Sequence, residues 1–158
     1  MTTIADAAAE FLSHERIAVA GVSRNGGAHS GNAVYLRLRD RGYTVFAVNP
    51  NAETLEGDTA YPDLTSIPGG VDVVVVATAP AVSRSVVEEC ARLGITRVWM
   101  HRAFGAGSVT DDAVDLARKS GMTVIPGGCP LMFGKASDGG HRFMCSLLKF
   151  TGAVPRNV

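Results

Sequence analysis

The segment 17–23, Ile-Ala-Val-Ala-Gly-Val-Ser, constrains the fold of this chain more than any other stretch. A continuous run of small and β-branched apolar residues is typical of a strand that is buried on both faces of a sheet. Gly21 then lets the backbone turn and approach a ligand where a Cβ atom would collide. A predicted helix follows, and its first N–H groups and positive dipole end would point at the same place. This combination predicts a phosphate-binding loop.

Composition limits the class of protein. The chain has 158 residues, 46% of them hydrophobic, which suffices for one domain with its own core. Fifteen basic and fifteen acidic residues cancel, so no overall charge favours nucleic acid or a membrane surface. No run approaches the roughly 20 apolar residues of a membrane span, and the N-terminus lacks the basic start of a signal peptide. Three cysteines without a pairing pattern fit reduced thiols, so we expect a cytoplasmic protein.

Four further apolar segments are predicted to be strands, at 43–48, 71–77, 95–100 and 122–125. Three times a predicted helix ends in glycine and a strand begins within about two residues, because glycine supplies the left-handed helix cap. Alternating helices and strands of this length indicate parallel strands joined by right-handed crossover helices. We therefore predict an α/β fold, a Rossmann-like doubly wound sheet of five parallel strands in the order 3-2-1-4-5, with extra helices at both termini.

The segments between and before these strands complete the secondary-structure prediction. Residues 3–13 have helical spacing and are predicted to pack over one edge of the domain. The polar, turn-rich segment 51–70 is predicted to be a loop with at most a short helix. Pro80 suits the first turn of the helix before the fourth strand. That helix is predicted to bury Val82, Val86, Cys90 and Leu93.

We treat residues 1–158 as a single domain, with a core at about 14–133 and a helical tail at 134–158. The tail carries an apolar stripe, which predicts a helix that docks on the edge of the sheet or on a partner. Its last four residues are expected to be loose. The stripe consists of Phe143, Leu147 and Phe150.

Candidate site residues follow from the predicted topology. In a doubly wound sheet, ligands bind beyond the carboxyl ends of the strands, near the point where strand order reverses. The segment 127–130 lies at one such end, and its Cys129 is interpreted as a small buried thiol rather than a redox partner. The main candidates lie at the other four: Gly21, Val22, Ser23, Arg24, Asn49, Pro50, Asn51, Thr78, Ala79, Pro80, Met100, His101 and Arg102.

A nicotinamide dinucleotide fits these residues poorly. The usual fingerprint is G-x-G-x-x-G after the first strand, but Ser23 stands where the second glycine belongs. An acidic residue that binds the ribose should end the second strand, and Asn49 stands there instead. No Gly-Lys-Ser/Thr triplet occurs, which excludes a P-loop.

Six short motifs give a more specific indication, because they occur in register along one chain. They are Ile-Ala-Val-Ala-Gly-Val-Ser-Arg at 17–24, Val-Asn-Pro-Asn at 48–51, Ala-Tyr-Pro at 60–62, Val-Asp-Val at 71–73, Val-Trp-Met at 98–100 and Gly-Cys-Pro at 128–130. Together they resemble the coenzyme A-binding domain family, small Rossmann-like proteins similar to the N-terminal domain of the succinyl-CoA ligase α subunit. The resemblance covers roughly residues 10 to 133.

The resemblance implies that CoA lies across the strand ends. It places the diphosphate on the loop 21–24, the adenosine end near Asn49 and Pro50, and the remaining contacts at 78–80 and 100–102. Ligase relatives carry a lysine soon after the proline that ends the second strand, whereas Asn51 and Ala52 follow here. We therefore expect dephospho-CoA to bind nearly as well as CoA, unless Arg24 or Arg102 holds the 3′-phosphate.

Two classes of function stay open on this reasoning. The first is a protein that binds CoA or acyl-CoA without catalysis of its own, either alone, with a protein partner or as a homo-oligomer. The second is an enzyme that uses the same cleft for acyl transfer or NAD-type oxidoreduction. Catalysis needs a convergent base and nucleophile, but the four histidines are scattered and no triad spacing occurs. Nor do histidine and cysteine have the spacing of a metal site. Binding without catalysis is the favoured interpretation.

Overall fold

A computed structural model of the chain describes residues 2–26 and 29–158. Seven strands form the sheet: β1 (Arg16–Ala20), β2 (Thr44–Val48), β3 (Thr54–Leu55), β4 (Asp58–Tyr61), β5 (Val73–Val76), β6 (Arg97–Met100) and β7 (Thr123–Pro126). Within the described ranges, five α-helices pack around it: α1 (Ile4–Phe11), α2 (Ser30–Asp40), α3 (Pro80–Leu93), α4 (Asp111–Lys119) and α5 (Gly139–Thr151). Two turns of 3-10 helix, Pro130–Met132 and Gly134–Ala136, lie between β7 and α5.

The strands lie in the order β3-β4-β2-β1-β5-β6-β7. All neighbouring pairs are parallel except β3 with β4, which form a short antiparallel pair. The predicted α/β class and the Rossmann-like, doubly wound arrangement are confirmed. The five predicted strands correspond to β1, β2, β5, β6 and β7.

The predicted strand count and order were wrong. The third predicted strand, β5, pairs directly with β1, as in Ile17 opposite Val73, so the five predicted strands lie in the order 2-1-3-4-5. The place beyond β2 belongs to β4, which comes from the segment that was predicted to be a loop. Counting β4 gives the six-stranded parallel order 3-2-1-4-5-6 of a Rossmann sheet. Polar β4 was missed because it has four residues and, of these, Ala60 alone is buried.

Strand side chains alternate between two apolar layers. Four consecutive valines of β5 are buried, as a strand covered by helices on both faces requires. Val73 and Val75 join a cluster that contains residues of α1, α2 and α5. Val74 and Val76 join another that contains residues of α3 and α4. The sheet therefore has helices on both faces, and the chain changes face between α2 and α3.

Local signals account for the helix boundaries. α1 begins where predicted, and the Thr3 hydroxyl at its N-cap accepts a hydrogen bond from the Asp6 backbone N–H at 3.2 Å. Pro80 is the first residue of α3, and Gly94 ends that helix in the left-handed conformation, with φ of 71°. Among the residues described, no helix has the length and apolar content needed to cross a bilayer.

The prediction of a loose chain end was wrong, and of the two places predicted for the apolar stripe the sheet edge was wrong while docking on a partner stays a prediction. The stripe of Phe143, Leu147 and Phe150 points to solvent, with exposed fractions of 74%, 55% and 82%, so it does not dock on the sheet. α5 packs on the domain through its other face, which includes Cys145 and Leu148. Nor is the end of the chain loose, because it pairs with the N-terminus: the Ile4 N–H donates to the Arg156 carbonyl at 3.0 Å, and the Val158 N–H to the Thr2 carbonyl at 3.0 Å.

Candidate functional site

A cleft of about 690 Å³ opens at the carboxyl ends of β1, β2 and β5. The chain leaves β1 toward α2 on one face of the sheet and leaves β5 toward α3 on the other. The cleft therefore lies at the point where the strand order reverses, which is where an open α/β sheet binds its ligands. Its volume falls within the range of ordinary small-molecule sites.

The structure brings eight of the thirteen predicted site residues together in the cleft and leaves five out of its lining. The eight are Gly21, Val22, Ser23, Asn49, Pro50, Asn51, Thr78 and Ala79. The five are Arg24, Pro80, Met100, His101 and Arg102. Arg24 lines an adjoining cavity of about 410 Å³, which it shares with Ser23 and with Glu53 and Glu56.

Sequence reasoning missed the long wall of the cleft. One side of α3 lines it with Val82, Ser85, Val86, Glu89 and Arg92, and the segment after β4 faces that side with Pro62, Asp63 and Thr65. The prediction that Val82 and Leu93 belong to the core was wrong, because they are 46% and 42% exposed. The buried face of α3 instead carries Ser83, Val87 and Cys90. The apolar residues of α3 do recur at spacings of three and four, as in a helix with one buried face. The prediction assigned the buried face from apolar content alone and therefore placed Val82 and Leu93 on it.

Gly21 makes a close contact possible within the protein. Its φ is +98°, and a Cβ atom there would overlap the Ala77 carbonyl oxygen and lie 2.5 Å from its carbon. Gly31, in the first turn of α2, is similar, because its Cβ would lie 2.9 Å from the Gly21 carbonyl carbon. These two glycines let the ends of β1 and β5 and the start of α2 converge. Gly21 also lines the cleft, so its predicted role of making room for a ligand stays a prediction beside this packing role.

Asn32, which is fully buried, holds the loop after β1. Its Oδ1 accepts a hydrogen bond from the Ser23 N–H at 2.8 Å, and its Nδ2 donates to the Ser23 carbonyl at 2.9 Å. Nδ2 also donates to Glu56 Oε1 at 2.7 Å. The Ser23 N–H is thereby used within the protein. The Ser23 hydroxyl accepts a hydrogen bond from the Asn25 N–H at 3.1 Å and keeps its own proton to donate.

Asn49 ties the ends of β1 and β2 together. Its Nδ2 donates to the Val22 carbonyl at 2.9 Å, and its Oδ1 accepts from the Asn51 N–H at 2.8 Å. The side-chain amide of Asn49 thus shapes the cleft floor, where a dinucleotide-binding enzyme would carry an acidic residue for the ribose.

Two helices begin at the cleft without a capping side chain. Within the described part of the chain, neither His29 at the N-cap of α2 nor Ala79 at the N-cap of α3 makes a capping hydrogen bond through its side chain. α1 and α5 are capped by Thr3 and Asp138, whereas α4, which begins away from the cleft, also has no side-chain cap at Thr110. His29 and Ala79 both line the cleft. The positive ends of two helix dipoles therefore meet at one cavity, which favours an anion.

The ends of β6 and β7 are closed rather than open. Met100 is fully buried and His101 is 7% exposed. The Arg102 N–H donates to the Gly128 carbonyl at 2.9 Å, and its guanidinium Nε donates to the Gly105 carbonyl at 2.9 Å. Burial lowers the pKa of His101 to about 4, which keeps its imidazole neutral at pH 7. Burial also raises the pKa of Cys129 to about 12, so its thiol stays protonated and unreactive.

Comparison with known proteins agrees with this geometry. A family model described as CoA binding domain matches residues 15–135. The chain is 27% identical over 119 residues to acetate–CoA ligase (ADP-forming) I of Archaeoglobus fulgidus, covering 72% of this chain and 17% of the relative. It is 29% identical over 127 residues to the α subunit of acetate–CoA ligase (ADP-forming) II of Pyrococcus furiosus, covering 75% of this chain and 27% of that subunit.

Solved structures show the same relationship. A hypothetical protein from Pyrococcus horikoshii superimposes with a TM-score of 0.67 at 27% identity, covering 74% of this chain and 80% of the other. A dinucleotide-forming acetyl-coenzyme A synthetase of Candidatus Korarchaeum cryptofilum, solved with phosphate and ADP, gives a TM-score of 0.60 at 25% identity. The match covers 70% of this chain and 25% of the synthetase. The resemblance in the sequence motifs is thus confirmed, and the chain belongs to the family of CoA-binding domains.

Proposed function

We propose that this chain binds coenzyme A or an acyl-CoA in the cleft at the ends of β1, β2 and β5. The observation that carries the proposal is the convergence of two helix N-termini without side-chain caps, those of α2 and α3, on one cavity. A diphosphate is the part of CoA that matches such a site. Membership of the CoA-binding domain family supports the same ligand.

The lining suggests how the ligand lies. The diphosphate sits at the helix N-termini, where the Ser23 hydroxyl donates a further hydrogen bond. The apolar wall offers a surface for the adenine ring between Pro50 and Pro62 on one side and Val82 and Val86 on the other. A mostly apolar lining with a few polar groups is the usual composition of a small-molecule site.

We further propose that the chain has no catalytic activity of its own. The two carboxylates of the lining are held by local hydrogen bonds: Asp63 Oδ1 accepts from the Ser66 N–H at 2.8 Å, and Glu89 Oε1 from the Thr65 N–H at 3.1 Å. The hydrogen bonds from Ser66 lower the pKa of Asp63, which makes its carboxylate a weaker base. The curated relatives are ligases of which this chain spans 17% and 27%. Any chemistry at bound CoA would then come from a protein partner.

Thermal unfolding with added ligand tests the proposal. CoA at ~100 times its dissociation constant should stabilise the fold by about 2.7 kcal/mol, a rise in Tm of several degrees. ADP should give a smaller shift because it lacks the pantetheine arm. NADH should give none, since Ser23 and Asn49 replace the residues of its fingerprint. Equal, negligible shifts for CoA and ADP would contradict the proposal, and saturable micromolar binding of NADH would favour the oxidoreductase alternative.

A further inference from the structure

Arg92 is the feature of the cleft that the proposed function leaves without a role. It lies in the last turn of α3 and lines the cleft together with Val82, Val86 and Glu89. Among the described residues of the lining, it is the single lysine or arginine. No described residue forms a hydrogen bond or ion pair with its guanidinium. A charged donor that lines a cavity and lacks a protein partner is available to a ligand.

The acidic neighbours of Arg92 form their hydrogen bonds with other residues and not with its guanidinium. Asp63 Oδ1 accepts from the Ser66 hydroxyl at 2.7 Å and from its N–H. Glu89 Oε1 accepts from the hydroxyl of Thr65 at 3.0 Å and from its N–H. The pKa of Asp63 lies below its ordinary value. The hydrogen bond from the Ser66 hydroxyl is the main cause, and the charge of Arg92 has a smaller effect. Among the described residues the donors of Arg92 therefore stay free, while its charge interacts with the nearby Asp63 carboxylate.

The position of Arg92 along α3 separates it from the diphosphate. α3 begins at the carboxyl ends of the strands and runs back along the sheet, so Val82 lies near the strand ends and Arg92 lies further down. Ten residues of helix span roughly 15 Å. Because side chains on a helix lean toward its N-terminus, the guanidinium reaches back up the groove. A nucleotide with its diphosphate at the start of α3 would extend its adenosine part along this groove toward the guanidinium.

We propose that Arg92 is a specificity-determining residue that binds the 3′-phosphate of CoA. This inference rests on the proposed function and adds the group that selects CoA over ligands without that phosphate. An arginine fork forms charge-assisted hydrogen bonds to a phosphate that a neutral ribose hydroxyl cannot replace. It also replaces the expectation from the sequence that dephospho-CoA binds nearly as well, since that expectation considered Arg24 and Arg102 and not Arg92.

Isothermal titration of the whole chain with CoA and with dephospho-CoA tests this proposal. The two compounds differ by the 3′-phosphate alone. We expect the wild-type protein to bind CoA about tenfold more tightly than dephospho-CoA. Arg92→Ala should bring the two affinities to within about twofold, by weakening CoA and leaving dephospho-CoA unchanged. Arg92→Lys keeps the charge but loses the fork, so it should retain part of the preference.

Arg84→Ala is the matched control. Arg84 lies on the same helix with a side chain that is 48% exposed, pairs with Glu88 at 3.0 Å and does not line the cleft. Its removal changes the net charge equally and should leave the tenfold ratio in place. A wild-type protein without preference, or an Arg92→Ala protein that keeps it, overturns the role of Arg92. If the wild-type protein binds neither compound, the proposed function itself is overturned.

Discussion

The two halves of the carboxyl edge of the sheet differ sharply, although the sequence made them look alike. The ends of β1, β2 and β5 open into the cleft, whereas those of β6 and β7 are covered. Each half carries polar residues directly after a strand, and both were predicted to contribute to the site. The difference lies in what the following loop does.

Hydrogen bonds between distant segments close the second half. The Ser83 hydroxyl donates to the Ser108 carbonyl at 2.6 Å, and the Ser108 hydroxyl donates to the Thr78 carbonyl at 2.7 Å. The Gly128 N–H donates to the Ala153 carbonyl at 3.0 Å, which brings the tail against the end of β7. The rule that ligands bind at the carboxyl ends of the strands therefore predicts the correct edge of the sheet. Which strand ends along that edge are accessible depends on the loops that follow them.

Gly21→Ala should have the largest effect among tests of this comparison. The backbone of β1 packs closely against that of β5 at Gly21. A methyl group there would clash with the backbone of Ala77, and a residue with a Cβ atom would also be strained at a φ of +98°. We expect a loss of about 3 kcal/mol or more in the free energy of unfolding. Urea denaturation measures this as a lower midpoint at unchanged slope.

Gly94→Ala is its matched control. Gly94 also has a positive φ, of +71°, but a Cβ atom added there would have no other heavy atom within 4 Å. The substitution should cost about 1 kcal/mol, from backbone strain alone. Equal losses for the two variants would show that the packing of β1 against β5 contributes nothing beyond the glycine conformation.

The closed half should give the protein a pH dependence through His101. Its folded pKa of about 4 lies below the ordinary value of 6.5, because burial disfavours the imidazolium. The unfolded state therefore takes up the proton first as the pH falls. The contribution of neutral His101 to the free energy of unfolding is complete above pH 6.5 and is lost progressively toward pH 4. Between pH 7 and pH 5 the free energy of unfolding should fall by about 2 kcal/mol.

Urea denaturation at several pH values measures this dependence. His101→Gln cannot titrate, so its free energy of unfolding should fall less than that of the wild-type protein over the same interval. Parallel pH profiles for the two proteins would mean that water reaches the imidazole and that the second half of the edge is open.

The fold could be predicted where a local pattern determines it. The apolar run of β1 and the valines of β5 indicated buried parallel strands, and Gly94 marked the end of α3. The strand order could not be predicted, because it depends on β4, whose four residues show no periodic apolar signal. Pairing of β4 with β2 is a tertiary event that the sequence of β4 alone does not encode.

The candidate site was predictable at the strand ends and hardly beyond them. Eight predicted residues line the cleft because glycine, asparagine and proline mark strand ends locally. Asn32 and Arg92 were missed because a polar residue in a helix is usually exposed. Nothing in the neighbouring sequence indicates that such a residue contacts a distant segment or lines a cleft. Closure of the β6 and β7 ends depends on contacts such as Ser83 with Ser108, which are 25 residues apart.

Val82→Asp is the most selective test of the open half. Val82 is 46% exposed, lines the cleft and lies in the first turn of α3, where an acidic side chain suits the helix dipole. Stability should therefore change little, while the new carboxylate repels the diphosphate. We expect CoA affinity to fall about tenfold by isothermal titration.

Two further variants locate that effect. Ala81→Asp adds the same charge one residue earlier on α3, outside the lining of the cleft, and should weaken CoA binding far less. Arg102→Ala removes a cation from the closed half, where the guanidinium already donates to the Gly105 carbonyl, and should change CoA affinity by less than about twofold. A tenfold loss in Arg102→Ala with none in Val82→Asp would reverse the assignment, because bound CoA would then lie across β6 and not along α3.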